Sequence, residues 1–104
     1  MSQNRIELLQ KAIHDNPNDP FPYFGLAKSY EKAGEIDKAL QQYDYLIQNH
    51  SDYGGTYYHY VILLLDLEEW DKAEKVCDQG LEVLLEQNEQ QLYNELLMLK
   101  EQNL

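Results

Sequence analysis

Glu35-Ile36-Asp37-Lys38-Ala39 and Glu69-Trp70-Asp71-Lys72-Ala73 carry one pattern, Glu-x-Asp-Lys-Ala, at an offset of 34 residues. The offset extends to their surroundings: Tyr23 aligns with Tyr57, Leu26 with Tyr60, Ala27 with Val61, Tyr30 with Leu64, Tyr43 with Cys77 and Ile47 with Leu81. Large apolar positions answer large ones, and small answer small. A fixed period of this length signals supersecondary units repeated in series rather than one globular core.

Working outward from the first stretch, Tyr23, Leu26, Ala27 and Tyr30 fall at i, i+3, i+4 and i+7 and so share one face of a helix over 20–33. Asp19 can cap its start and Pro20 suits its first turn. Gly34 ends it, because glycine reaches the left-handed conformation without penalty. Residues 36–49 form the antiparallel partner, with Ile36, Ala39, Leu40, Tyr43, Leu46 and Ile47 inward and Ala39 small where the helix axes come closest. Upstream, Ile6, Leu9, Ala12 and Ile13 predict a helix over 3–15 that Pro17 stops. Leu9 aligns with Tyr43 and Ile13 with Ile47, so this helix reads as the second half of a unit.

The next unit begins near Ser51 or Asp52, either of which can cap a helix over 54–67. Tyr57, Tyr60, Val61 and Leu64 form its inward face, yet Tyr58, Ile62 and Leu65 make the remaining face apolar too. A helix hydrophobic all round is either central in its fold or meets a partner. The turn at Leu67-Glu68-Glu69 has no glycine, and residues 70–86 repeat the antiparallel helix with Trp70 and Ala73 in the places of Ile36 and Ala39. After the polar residues 87–91, Leu92, Tyr93, Leu96, Leu97 and Leu99 predict a last helix over 89–102, one or two positions out of the 34-residue register. It reads as a cap on an open end, with Lys100 and Glu101 toward solvent. The fold class is therefore all-α, with about six helices in stacked antiparallel pairs. The organisation is a single domain over 1–104: a leading half-repeat at 3–15, repeats at 20–49 and 54–86, and a capping helix at 89–102.

Composition narrows the function. A chain of 104 residues buries roughly 60–70% of its unfolded surface, enough for one core. Hydrophobic content of 43% argues for a folded protein, and nine tyrosines are many for this length. Nineteen acidic against eight basic residues give a net charge of -11, which opposes binding to nucleic acid because no basic stripe offsets the field. The longest wholly apolar run, 61–65, is far too short to span a bilayer, and the N-terminus has no signal-like apolar region. No membrane association is expected, and the expected location is cytoplasmic. One cysteine, Cys77, cannot form an internal disulfide.

These residues resemble the tetratricopeptide repeat family, whose motif asks for Trp-x2-Leu-Gly-x2-Tyr on the first helix and Ala-x3-Phe then Pro on the second. The first unit offers Tyr23-x2-Leu26-Ala27-x2-Tyr30 and Ala39-x3-Tyr43, with Ser51 in the place of Pro. The second departs further, with Tyr57-x2-Tyr60-Val61-x2-Leu64, Ala73-x3-Cys77 and Leu85 in the place of Pro. Pro17 holds that place for the leading half unit. The resemblance implies a right-handed superhelix of helix pairs whose first helices line a concave groove, and a role in protein–protein interaction rather than catalysis.

The face of the first helices opposite the packing residues carries Phe21, Phe24, Lys28, Glu31 and Lys32 in one unit and Tyr58, Ile62, Leu65 and Asp66 in the other. Phe21, Phe24, Lys28, Tyr58, Ile62 and Leu65 are the candidate contacts for a peptide or helix segment of a partner protein. A second reading makes the same apolar face the interface of a homo-oligomer. Some relatives hold a C-terminal carboxylate with Lys, Asn and Arg spread over three first helices, but Ile62 and Asp66 stand opposite Lys28 and Lys32, so such a clamp fits poorly. No catalytic residue, cofactor or metal is expected. His14, His50 and His59 lack metal-ligand spacing, His59 reads as a surface residue, and Cys77 reads as a small core hydrophobe. Gly54-Gly55 is no phosphate loop and reads as a close approach of neighbouring backbone.

Overall fold

The computed structural model describes residues 2–104. Among the described residues there are six helices and no strand: α1 (Ser2–Asp15), α2 (Pro20–Lys32), α3 (Ile36–Asn49), α4 (Gly55–Asp66), α5 (Trp70–Glu86) and α6 (Gln90–Asn103). The chain falls into two compact units, dividing between Tyr53 and Gly54.

In the first unit α2 packs on both α1 and α3. Its core takes Ile6 and Leu9 from α1, Tyr23, Leu26, Ala27 and Tyr30 from α2, and Ala39, Tyr43 and Leu46 from α3. The helix α2 starts where the sequence says it should: Asp19 Oδ1 accepts the Phe21 N–H at 3.0 Å, and Pro20 needs no donor partner at the first helical position. Between α1 and α2, Arg5 Nε donates to Ser29 Oγ at 3.2 Å, which gives the one polar side chain of α2 that is buried a partner.

One turn recurs along the chain. Gly34 has a φ of 78°, its N–H donates to Glu31 O at 3.0 Å, and the Glu35 N–H reaches back to Tyr30 O at 2.9 Å. This paired arrangement satisfies carbonyls that the end of a helix would otherwise leave open. Glu68 repeats it at φ 60°, with the Glu69 N–H on Leu64 O at 2.9 Å, and Asn88 repeats it again at φ 59°, with the Glu89 N–H on Leu84 O at 3.0 Å. The missing glycine at 68 therefore leaves the geometry unchanged and is a conformational cost instead. A side chain in the left-handed region loses about 1–2 kcal/mol, part of which glycine's extra freedom in the unfolded chain offsets. Glu68→Gly should raise the unfolding free energy by about 0.5–1 kcal/mol, seen as a higher urea midpoint; a lower midpoint would mean that the Glu68 side chain stabilises the turn.

The second unit departs from the first at two inward positions of its second helix. Tyr43 and Leu46 of α3 are fully buried, and 34 residues on stand Cys77 and Gly80. Helix α5 is thus lighter at these two sites, and α6 supplies the missing volume. A Cβ on Gly80 would lie 2.6 Å from Tyr57 Cβ and Cγ and 2.8 Å from Leu96 Cδ2, and the Cys77 thiol faces the Leu96 carbonyl oxygen at 3.8 Å. Helix α6 packs on both α4 and α5, with Leu96 fully buried. Its displacement from the 34-residue register follows from the turn at Asn88: the chain reverses after α5 as it does after α2 and α4, so α6 runs back along α5.

Four expectations from the sequence are corrected. Lys100 is not simply solvent-directed, because α6 returns along α5 and its Nζ meets Asp78 Oδ1 at 2.6 Å. Trp70 does not fill the inward place of Ile36; it is the first residue of α5, at the rim of the helix pair, and is 50% exposed. Neither Ser51 nor Asp52 caps α4. They lie in a preceding turn closed by the Tyr53 N–H on His50 O at 2.9 Å, and Gly54 holds the cap position with no side-chain bond. Of the glycine pair, Gly54 faces Leu84, whereas Gly55 has nothing within 4 Å of a would-be Cβ.

Candidate functional site

In the first unit, Phe21, Phe24 and Lys28 follow one another at i, i+3 and i+7 and so form a stripe on α2. Phe21 is 55% exposed. Phe24 is half-buried, with Tyr43 edge-on to it at 6.5 Å between ring centroids and Tyr53 tilted against it at 6.0 Å. Its ring is therefore part of the rim of the core. Lys28 Nζ lies 3.8 Å from Glu31 Oε2, the same carboxylate oxygen that accepts the Tyr43 hydroxyl. Burial first, and then this carboxylate, hold the Tyr43 hydroxyl far above the usual phenol range. The stripe thus runs from an open aromatic to a neutralised polar network. Lys32, one turn on, is exposed.

In the second unit, Tyr58, Ile62 and Leu65 fall at i, i+4 and i+7, a stripe along α4, and all three stay half-exposed while α5 and α6 pack on that helix. Tyr58 lies edge-on to His59, ring centroids 5.6 Å apart, and His59 is half-buried rather than free on the surface. The inward residues of α4, Tyr57, Tyr60, Val61 and Leu64, are no more than 1% exposed. Both halves of the sequence-predicted set therefore occupy continuous stripes on the first helix of their own unit.

The sequence did not single out a second aromatic group in the first unit. Tyr45 stacks on Tyr23 at 4.5 Å, His50 lies 6.0 Å from both rings, and the Tyr23 hydroxyl donates to Pro17 O at 2.9 Å. The signal was present in the number of tyrosines, too many for the motif positions alone. Burial and Tyr45 push the Tyr23 hydroxyl up to about 12, and burial also raises Tyr53. These phenols keep their protons in the folded chain at a pH where the unfolded chain, near 10, gives them up. Their contribution to stability is full below about pH 10 and is lost as pH rises through the folded values. The urea midpoint should hold between pH 7 and 9 and fall between pH 10 and 12; a flat midpoint to pH 12 would show that the phenols titrate alike in both states.

The chemistry elsewhere is that of packing. Burial pushes the Cys77 thiol up to about 11, opposite to what an activated nucleophile requires. Among the described residues, no group of three or more His, Cys, Asp and Glu side chains could hold a metal ion, and no helix is long and apolar enough to cross a membrane. Two open hollows are each lined by one helix: Asn4, Glu7, Leu8 and Lys11 on α1, and Gln90, Gln91, Asn94, Glu95 and Met98 on α6.

Three comparisons bear on this arrangement. A family model described as tetratricopeptide repeat matches residues 8–41. Superkiller protein 3 of Saccharomyces cerevisiae is 33% identical over 79 residues, which are 72% of this chain. The chain spans only 6% of the length of that relative. Among solved structures, the TPR2B domain of yeast Sti1, in its complex with pHsp70, superposes with a TM-score of 0.76 over 93% of this chain and 83% of that one, at 17% identity. At that identity the likeness is one of fold.

Proposed function

Because the chain belongs to the tetratricopeptide-repeat family, we propose that it is a non-catalytic interaction module that binds a peptide segment of a partner protein along the first helices of its repeats. The observation that carries this reading is the stripe Tyr58, Ile62, Leu65, which stays half-exposed on a helix already packed on its inward face. Aromatic and aliphatic side chains in such a position gain from burial by a partner. Phe21, Phe24 and Lys28 supply the corresponding contacts on α2. An extended or helical segment with apolar anchors is the occupant this chemistry suits.

The test is capture of proteins from a native lysate by the wild-type chain and by Tyr58→Ala with Ile62→Glu, with circular dichroism confirming the helix content of both. At least a tenfold loss of a captured partner from the variant is expected. Equal capture by a folded variant would sink the reading. Recovery of the chain alone, with a sedimentation coefficient that rises with concentration, would turn the same stripe into a homo-oligomer interface.

A further inference from the structure

We propose that the α4–α5 turn, residues 66–71, is a second docking surface, which takes a segment of a partner protein carrying arginine beside an aliphatic side chain. The chain contains its own control for this turn. The α2–α3 turn has the same backbone, with the left-handed residue and its paired hydrogen bonds 34 positions earlier. On that shared frame the first unit places Lys32, Ala33, Gly34, Glu35, Ile36 and Asp37, and the second places Asp66, Leu67, Glu68, Glu69, Trp70 and Asp71. Leu67 and Trp70 are 39% and 50% exposed, so the second turn sets an indole and an isobutyl group in water where the first has a methyl and a half-buried isoleucine. This exposed apolar pair is the feature to be explained, since nothing in the shared turn geometry demands it.

The charges around the pair select its occupant. Asp66, Glu68, Glu69 and Asp71 flank it along the chain, all exposed, with no basic side chain among the six residues. The next residue, Lys72, holds its Nζ over the Tyr60 ring at 5.6 Å, as Lys38 holds its own over Tyr30 at 5.7 Å while also pairing with Glu35 at 3.0 Å. A guanidinium fits such surroundings because it stacks on an indole face while donating to carboxylates, and an aliphatic neighbour covers Leu67. A second copy of this chain is a poor occupant, because two bodies of net charge -11 repel. The surface differs from the α2 and α4 stripes in place and in chemistry: it is acidic, and it lies at the helix junction.

Trp70 is the single tryptophan, so its emission reports this turn alone. The probe is a capped peptide of three Arg-Leu-Arg-Ser repeats, with three Arg-Ser-Arg-Ser repeats as the control of equal charge. A saturable change in Trp70 emission is expected with the first peptide, with a dissociation constant at least tenfold below that for the control. By calorimetry, Trp70→Ala should weaken binding about tenfold and Glu68→Gly about threefold. Glu68→Gly relieves the turn's backbone, so its loss of affinity cannot come from unfolding. Tyr58→Ala with Ile62→Glu should leave this binding intact, which separates failure here from failure of the α4 stripe. No saturable change, equal affinity for both peptides, or equal affinity of the Trp70→Ala and Glu68→Gly chains with wild type would each overturn the proposal and reduce it to general attraction by an acidic protein.

Discussion

Tyr43→Ala should lower the unfolding free energy by about 3–5 kcal/mol, the range for removing a fully enclosed aromatic side chain. Tyr43 is 0% exposed, its ring supports Phe24, and its hydroxyl donates to Glu31. Tyr43→Phe separates the two contributions. It keeps the ring and deletes one hydrogen bond to a carboxylate that is 22% exposed and can turn to water, so its cost should be about 1 kcal/mol. Urea unfolding of the two variants beside wild type gives both numbers. Since domains of this kind hold about 5–15 kcal/mol in all, the alanine variant should be near the edge of folding at 37 °C. A cost below 1 kcal/mol for Tyr43→Ala would mean that α3 does not present this face to α2.

Gly80→Ala should destabilise by about 1–3 kcal/mol, against the usual sign for this exchange inside a helix, where alanine gains up to about 1 kcal/mol. The reason is the neighbourhood: the new methyl would sit 2.6 Å from Tyr57 Cβ and Cγ, atoms at the root of a side chain that cannot swing aside, and 2.8 Å from Leu96. The helices α4, α5 and α6 would have to part. Gly55→Ala, with open space around its Cβ, is the control and should be neutral within about 0.5 kcal/mol. Thermal melts of both variants decide the matter, and an equal or raised melting temperature for Gly80→Ala would place the close contact elsewhere.

The helix pairs were legible because their signals are local. Apolar spacing, Asp19 before Pro20 and the glycine at 34 each act within one turn of helix, and each has the role its chemistry predicts. What was not legible depends on who the neighbour is. Gly80 continues the inward series Ala73, Cys77 and Leu84, all buried, yet alignment with Leu46 gave no warning that a large residue would be exchanged for none. Only the position of Leu96, on another helix, explains it. Glu68 and Asn88 take the conformation of Gly34 without glycine's sequence mark, because the helices on either side dictate the reversal. On α2, the spacing puts Phe24 in line with Phe21 and Lys28, but Tyr53, well outside that helix, is one of the rings that meet it. Spacing describes one element at a time, and the partly buried members of the candidate stripes are set by two.

The order of helix contacts also bears on how the chain is made. Most close pairings join helices that follow one another directly: α1 with α2, α2 with α3, α4 with α5 and α5 with α6. Such a topology asks for short chain closures only, the class that reaches the native state in microseconds to milliseconds. Synthesis, at about 5–20 residues per second, is slower by orders of magnitude. Each hairpin can therefore close on the ribosome before the next helix has been assembled. Leu96 lies on the last of the six helices, so until α6 emerges the space beside Gly80 lacks its filling residue, and the nascent second unit exposes to its surroundings the apolar surface that α6 later covers.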